Sequence, residues 1–324
     1  MKNKLVRYFK SKNILVAGGT GFVGYNLVKK LKSLGANVRS TYHSSDKLCA
    51  NDSEFIKADL RNPQDCFSIC KEIDLIFMCA ANSSGSKIIE KKPLEHLNPN
   101  IIMNLNMLEA AYKNDVEKFL FISSNIVYPL TDYPVKEDDV TNQFFDKYHI
   151  VGWMKRFSEI TCEMYSKIIK KKMTTLIVRP GNLYGPYDKF DWEKSKVIPA
   201  LIRRVVEKHN PMEVWGDGKD LKDFLYIDDF VDGLVMTMFK IDEHITINLA
   251  SGIPITINEI LYKILKIEDY KPKIIFKKNK PRMIPKRLID TSFAKKKIEW
   301  NPKIKHYEGL LKTIDWYKKS KEST

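Results

Sequence analysis

Apolar runs long enough to cross a bilayer are lacking in these 324 residues, and the basic N-terminus has no apolar leader core. The expectation is a cytoplasmic protein with no membrane partner. Cysteine is scarce. The five (Cys49, Cys66, Cys70, Cys79 and Cys162) are odd in number and irregularly spaced, which excludes a disulfide framework. Cys66 and Cys70 stand at helical i,i+4 spacing, but no nearby histidine completes a ligand set, so no metal is expected. Reduced structural thiols fit best. Internal repeats and low-complexity tracts are absent. Negative charge is in deficit, leaving a net +15, yet the lysines are scattered, with one short run at Lys170-Lys171-Lys172. A clustered basic stripe interleaved with aromatics is missing, which argues against nucleic acid as a partner. A basic surface suits an anionic small molecule such as a nucleotide diphosphate.

What is present is local and patterned. The apolar run Ile14-Leu15-Val16 leads into Ala17-Gly18-Gly19-Thr20-Gly21-Phe22-Val23-Gly24, and an apolar-periodic segment follows to Leu34 and closes at Gly35. Strand, tight turn and helix form the context in which spaced glycines bind a dinucleotide. Gly18 permits the turn, Gly21 lets the backbone approach a pyrophosphate, and Gly24 allows close packing of the helix. The helix start then offers free N–H groups to the phosphates.

Beyond this run, strand and helix patterns alternate. Strands are predicted at Asn37–Tyr42, Phe55–Lys57, Leu75–Met78, Phe119–Ile122 and Thr174–Arg179. Helices are predicted at Pro63–Cys70, Ile101–Tyr112 and Trp153–Lys170. Such alternation predicts an α/β fold, a Rossmann-like doubly wound parallel sheet. A short basic lead-in occupies residues 1–12. After residue 180 the pattern shortens: a helix at Val197–Lys208, strands at Glu213–Trp215, Phe224–Ile227 and Ile245–Ala250, and a final helix at His306–Lys318. Asp228 and Asp229 read as N-caps of a helix over Phe230–Met238. The expected division is a dinucleotide domain over 1–180 and a smaller, mixed substrate-binding region over 181–324, with some later elements returning to the first core.

Several stretches together resemble the extended short-chain dehydrogenases, the NAD-dependent epimerases and dehydratases of nucleotide sugars. Lys57-Ala58-Asp59-Leu60 resembles the pair that contacts adenine, and Cys79-Ala80-Ala81 the loop that lines the cofactor. Phe121-Ile122-Ser123-Ser124-Asn125-Ile126-Val127-Tyr128-Pro129 resembles the catalytic-serine strand. Within the family, Asn114-Asp115-Val116-Glu117-Lys118, Asn182-Leu183-Tyr184-Gly185-Pro186, Val197 through Arg204, Val214-Trp215-Gly216 and Lys286-Arg287-Leu288-Ile289-Asp290 are most similar to the GDP-fucose synthases. The resemblance implies cofactor contacts from Gly18, Thr20, Gly21, Phe22, Val23, Tyr42, Asp59, Leu60, Ala80, Ala81, Ser123 and Lys155. It implies GDP-sugar contacts from Asn125, Asn182, Val197, Arg204, Trp215, Lys222 and Arg287. It also implies a homodimer or higher homo-oligomer joined through the helices 101–112 and 153–170.

The departures matter as much. Where the family has Tyr-x-x-x-Lys, this chain reads Val151-Gly152-Trp153-Met154-Lys155. Ile126 stands where the GDP-fucose synthases carry an epimerase cysteine and Tyr187 where they carry its histidine. Isoleucine moves no proton, so 3,5-epimerisation in that manner is excluded, and Asn125-Ile126 in place of an acidic pair disfavours dehydration. Hydride transfer at C4 of a GDP-linked hexose or heptose, in surface-polysaccharide synthesis, is the expected chemistry. Ser124 hydrogen-bonds the oxygen, and Lys155 holds the nicotinamide ribose and stabilises alkoxide charge. The base is open among Tyr187 (preferred), Tyr148, His149 and Lys155 through water. The second strand, Arg39 to His43, lacks the acid of an NAD site. The arginines of an NADP site are replaced by Thr20 and Tyr42, with Arg39 or His43 left to compensate, and NAD is preferred over NADP. A silent GDP-sugar-binding relative and a 4-epimerase with transient oxidation stand as alternatives.

Overall fold

The computed structural model describes residues 2–44, 48, 54–82, 92–171, 173–192, 195–278 and 284–322; Cys49 and Lys172 lie outside them. A first helix, α1 (Lys2–Lys10), precedes strand β1 (Asn13–Ala17) and helix α2 (Phe22–Ser33). Then come β2 (Asn37–Tyr42), β3 (Phe55–Lys57), α3 (Pro63–Ile69), β4 (Leu75–Met78), α4 (Pro93–Lys113) and β5 (Lys118–Ile122). Helix α5 (His149–Lys167) leads into β6 (Thr174–Pro180). These strands form one sheet in the order β10-β6-β5-β4-β1-β2-β3, parallel throughout, in which β10 (Ile245–Leu249) returns from the later chain to pair with β6. The order reverses direction between β1 and β4. Open parallel sheets bind ligands at such a point, outside the carboxyl ends of the strands.

Both faces of the sheet are covered, and β1 shows why its run is continuously apolar. Ile14 and Val16 join the core shared with α2 and the later helices, while Leu15 and Ala17 join the core shared with α3, α4 and α5. Side chains that alternate across a strand buried on both sides must all be apolar.

The later chain builds two small sheets beside the large one. β7 (Asn182–Tyr184), β9 (Leu221–Tyr226) and β11 (Pro254–Thr256) form one, and β8 (Met212–Trp215) with β12 (Ile274–Lys277) the other. Helices α6 (Val197–Val206), α7 (Ile227–Lys240), α8 (Ile257–Ile267), α9 (Ser292–Ile298) and α10 (His306–Glu322) complete the fold. α8 opens on a capping box in which the Thr256 side chain and Glu259 exchange hydrogen bonds with each other's backbone. At α7 the expectation fails. The helix begins at Ile227, and Asp229 instead accepts Lys303 N at 3.0 Å and Ile304 N at 2.8 Å, tying the chain before α10 to α7. A buried carboxylate serves the tertiary donors that face it, and no local pattern reveals those. α4 begins at Pro93, two turns before the predicted start, because proline fits a first helical turn.

Candidate active site

The glycine turn is built by close approach. Gly18 has φ +82°, and a Cβ there would lie 2.6 Å from Ala80 Cα, so the loops after β1 and β4 touch through backbone alone. A Cβ on Gly24 would lie 2.2 Å from Gly18 O, which seats the first turn of α2 on the loop. Gly19, to which no role was assigned from sequence, is as tight: its Cβ would fall on the Ser40 hydroxyl. Gly18 N donates to Thr41 Oγ1 and Gly19 N to Thr41 O, which binds the turn to β2. Gly21 is the N-cap of α2 and offers no side-chain cap, so the first N–H groups face outward for an anion. A dinucleotide pyrophosphate fits this cradle. Gly24→Ala is expected to weaken dinucleotide binding at least tenfold, roughly 1.4 kcal/mol, in a calorimetric titration. An unchanged Kd would show that the loop can shift without cost.

After β3, where the resemblance puts an adenosine contact, Asp59 is bound on both oxygens by Arg61 (Nη2–Oδ2 2.6 Å), with His43 at 3.7 Å. The Arg61 hydrogen bond holds the Asp59 carboxyl down at about 2. Arg39 does not serve as an anion anchor: its Nη1 donates to the carbonyls of Ile69 and Lys71, beyond the end of α3. Tyr42 ends β2, and Leu60 is buried.

Strand β5 delivers the catalytic candidates. Lys155, on the second turn of α5, donates from Nζ to Ile122 O at 2.8 Å and lies 4.8 Å from the Phe121 ring centroid. Burial pushes its pKa down to about 8, against the pull of Glu159. Ser124 follows the strand and caps a single 3₁₀ turn, accepting from Ile126 N. Both candidates thus meet at the carboxyl end of β5. Ser123 differs from expectation. Its hydroxyl donates to Glu159 Oε1 at 2.5 Å, so only its backbone faces the crevice side. The Asn125 amide is likewise used, on Pro180 O.

Glu159 is the hub that sequence reading missed. It is fully buried and paired in a two-pronged fork with Arg179 (2.8 and 2.7 Å), with Arg156 at 3.1 Å. Arg179 also donates to Tyr128 Oη at 3.0 Å, and Tyr128 Oη donates to Asn248 Oδ1 at 2.6 Å. Ser123, α5, β6 and β10 are thereby locked together beneath the site. The signal available was Glu159 four residues after Lys155, on the same helical face.

The base candidates Tyr187, Tyr148 and His149 make their ring contacts with residues other than Ser124 and Lys155. Tyr187 has φ +69°, and its ring lies against Tyr25 (4.5 Å), Trp316 (4.9 Å) and the Lys29 ammonium (5.2 Å). This aromatic nest joins α2 to α10. Tyr148 is the N-cap of α5, with a phenol that burial pushes up to about 12, which makes it a poor proton acceptor at neutral pH. His149 is exposed beside Phe144 and Trp153. Val151 is buried, next to a Gly152 that Phe144 covers.

The residues expected to contact the GDP-sugar lie mostly on or beside the small sheets, with Val197 and Arg204 on α6. Asn182 donates to Asp223 O at 3.0 Å, and Lys222 bonds Ile284 O. Arg287 is drawn in by a bridge between Leu221 and Lys286. The Arg287 guanidinium is buried, donates to Pro129 O (2.7 Å) and Tyr128 O (3.1 Å), and leaves Nε unpaired. Burial pushes its pKa down to about 10. Trp215 is 43 % exposed at the end of β8. Val197 begins α6, and the Arg204 guanidinium on that helix lies 5.4 Å from the Trp192 ring centroid.

Among the described residues no helix is long and apolar enough to cross a membrane, and no cluster of metal-ligand type occurs. Comparison with known proteins gives a consistent answer. GDP-L-fucose synthase 1 of Arabidopsis thaliana is 31 % identical over 325 residues, 96 % of this chain and 94 % of that protein. GDP-mannose 3,5-epimerase of the same plant is 28 % identical over 98 % of this chain and 85 % of its own length. The UDP-glucose 4-epimerase of Thermotoga maritima, solved with UDP-glucose, superposes with a TM-score of 0.86 at 25 % identity, over 95 % of this chain and 99 % of that one. The family model of NAD dependent epimerases and dehydratases matches residues 14–250. With its glycine cradle and its parallel sheet, this chain belongs to the NAD dependent epimerase/dehydratase family.

Proposed function

We propose that the protein oxidises or reduces C4 of a GDP-linked hexose or heptose, within surface-polysaccharide synthesis. The observation that carries the reading is Lys155: a half-buried ammonium with a depressed pKa, anchored on Ile122 O beside Ser124 at the carboxyl end of β5, one strand from the switch point of the sheet. When bound, NAD supplies the hydride acceptor and NADH the donor. The glycine turn and the uncapped start of α2 would hold its pyrophosphate, Asp59 and Leu60 its adenosine, and Ala80, Ala81 and Lys155 its nicotinamide half. Ser124 directs its hydroxyl to the sugar oxygen, and Lys155 stabilises negative charge developing there.

On the GDP side, the exposed Trp215 indole suits stacking on guanine. Arg287, a buried guanidinium that no carboxylate among the described residues neutralises, suits the diphosphate, and Asn182, Lys222 and Arg204 are the further polar groups assigned to the GDP-sugar. NAD is preferred over NADP because Arg39 is spent on the carbonyls beyond α3. A homodimer is supported by exposed Ile102 and Leu105 on α4 and by Trp153, Phe157 and Met164 on α5 with Ile168 just past its end, an apolar face of the kind that marks an interface.

The test is to incubate NAD-loaded protein with GDP-mannose or GDP-manno-heptose and trap the product with borodeuteride. Deuterium at C4 supports the proposal; unlabelled sugar despite measured binding contradicts it. The similarity to a 4-epimerase supports a second reading, transient oxidation at C4, in which the recovered sugar is a C4 epimer and bound NAD is unchanged at the end.

A further inference from the structure

α4 carries a buried polar stripe. His96, Asn100 and Asn104 recur at i, i+4 and i+8, on one helical face. Asn104 Nδ2 donates to Ser158 Oγ at 2.9 Å, so this face lies on α5. Asn100 exchanges hydrogen bonds with the backbone of Asn82, accepting from its N–H at 2.9 Å, so the same face also holds the loop after β4. α4 and α5 each follow a strand of a parallel sheet and run in the same direction. Two turns before Asn104 stands His96; two turns before Ser158 stands Val151. The imidazole is therefore level with the first turns of α5, beside the loop of Ala80 and Ala81, at the carboxyl ends of the strands.

Asn100 and Asn104 are satisfied by these contacts. His96 is not: its ring is 6 % exposed and its Nδ1 has no hydrogen-bond partner. A buried polar atom left without a partner is rare and marks a group kept for another purpose. Burial, and then the positive charge of Lys155, hold the imidazole below the usual histidine range, so it stands neutral with a lone pair free, though as a weaker base than an exposed imidazole. Lys155 is the charged group among the described residues whose field reaches it.

We propose that His96 is the proton acceptor of this site, in the role the family resemblance gives to a tyrosine at position 151. The inference rests on the hydride-transfer reading above. In oxidation, the C4–H bond breaks and its electron pair leaves with hydrogen for the nicotinamide ring of NAD. The O4–H bond breaks, its proton passes to His96 directly or through one water, and the C4=O double bond forms. The sugar loses two electrons and NAD gains them. The imidazolium then gives its proton to solvent, and reduction is the reverse.

The test compares wild type, His96→Asn and the double variant His96→Asn/Val151→Tyr, on whichever of GDP-mannose or GDP-manno-heptose the wild type oxidises. H96N is expected to slow hydride transfer by about 10²–10⁴-fold with the Kd of NAD and of GDP unchanged. Adding V151Y should recover part of the rate, which repair of a merely structural defect would not do. Independently of turnover, the ring ¹⁵N signal of His96 in NADH-bound protein should shift when the GDP-sugar is added. A wild-type rate in H96N, or a ring signal indifferent to the sugar, overturns the proposal.

If H96N does not fold, the wild-type pH profile decides. A rate that holds as pH is lowered to about 6.5 supports His96, and a rate that is already lost as pH is lowered through about 8, the Lys155 value, overturns it. A wild type that binds NAD and both sugars yet transfers no hydride overturns the functional reading itself, whereas an active wild type with an indifferent H96N overturns the base alone.

Discussion

Replacing Lys155 with methionine is expected to slow hydride transfer by about 10²–10³-fold, the cost of removing one preorganised charged donor from a site where an alkoxide develops. The cause is chemical more than structural. Methionine keeps the apolar stem that packs near Phe121 and forfeits one hydrogen bond, to Ile122 O, worth about 1 kcal/mol. The unfolding midpoint should move by a few degrees at most, while single-turnover absorbance at the reduced-nicotinamide band nearly vanishes. If K155M transfers hydride at the wild-type rate, the ammonium plays no part in the reaction and the proposed site is wrong.

Glu159→Gln should do the opposite, costing stability first. The carboxylate is fully buried and shared by Arg179, Ser123 and Arg156. Neutralising it strands the Arg179 charge, and breaking a buried pair in this way costs about 3–5 kcal/mol. That corresponds to a drop of roughly four to seven degrees in the unfolding midpoint. The pH dependence gives a second check. Burial alone would raise the Glu159 pKa, but the Arg179 hydrogen bonds and charge, with Ser123 and Arg156, outweigh it and hold the folded value below the ordinary one. The pair therefore contributes fully above the unfolded value, and the contribution is lost as pH falls through the folded value. Wild type and E159Q should converge in acid. A difference that persists there would mean that packing, and not charge, carries the effect.

The two residues divide the site between them. Lys155 meets the crevice; Glu159, one turn further along α5, fastens Ser123, Arg179 and, through Tyr128, Asn248 beneath it. Replacement of Glu159 also removes the pull that supports the Lys155 ammonium, so the fraction that stays folded should lose hydride transfer at lower pH than wild type does as pH rises.

How much of this was legible in the chain follows from how local each determinant is. The glycine turn and the alternating strands and helices are set within a few residues, and the structure places them as the pattern predicts. The return of β10 to the edge of the large sheet leaves Asn248 on Tyr128, a contact 120 residues apart that no period can show. Arg39 looked free because the acceptors that claim it, Ile69 O and Lys71 O, are main-chain atoms some thirty residues away. Asp229 looked like a cap because the competing donors, Lys303 N and Ile304 N, arrive from the other end of the chain. Tyr187 sat at the aligned position of a catalytic histidine, yet Tyr25 and Trp316 draw its ring into their own nest. His96 escaped notice for the complementary reason: its importance lies in the partner it lacks.

The measurement that tests the account most directly is absorbance at the reduced-nicotinamide band, taken as NAD-loaded protein is mixed with GDP-mannose or GDP-manno-heptose at stoichiometric concentration. The account predicts a rise on mixing with one of these sugars, absent in K155M. A flat trace for both, with GDP-sugar binding measured on the same sample, would contradict net oxidation at this site.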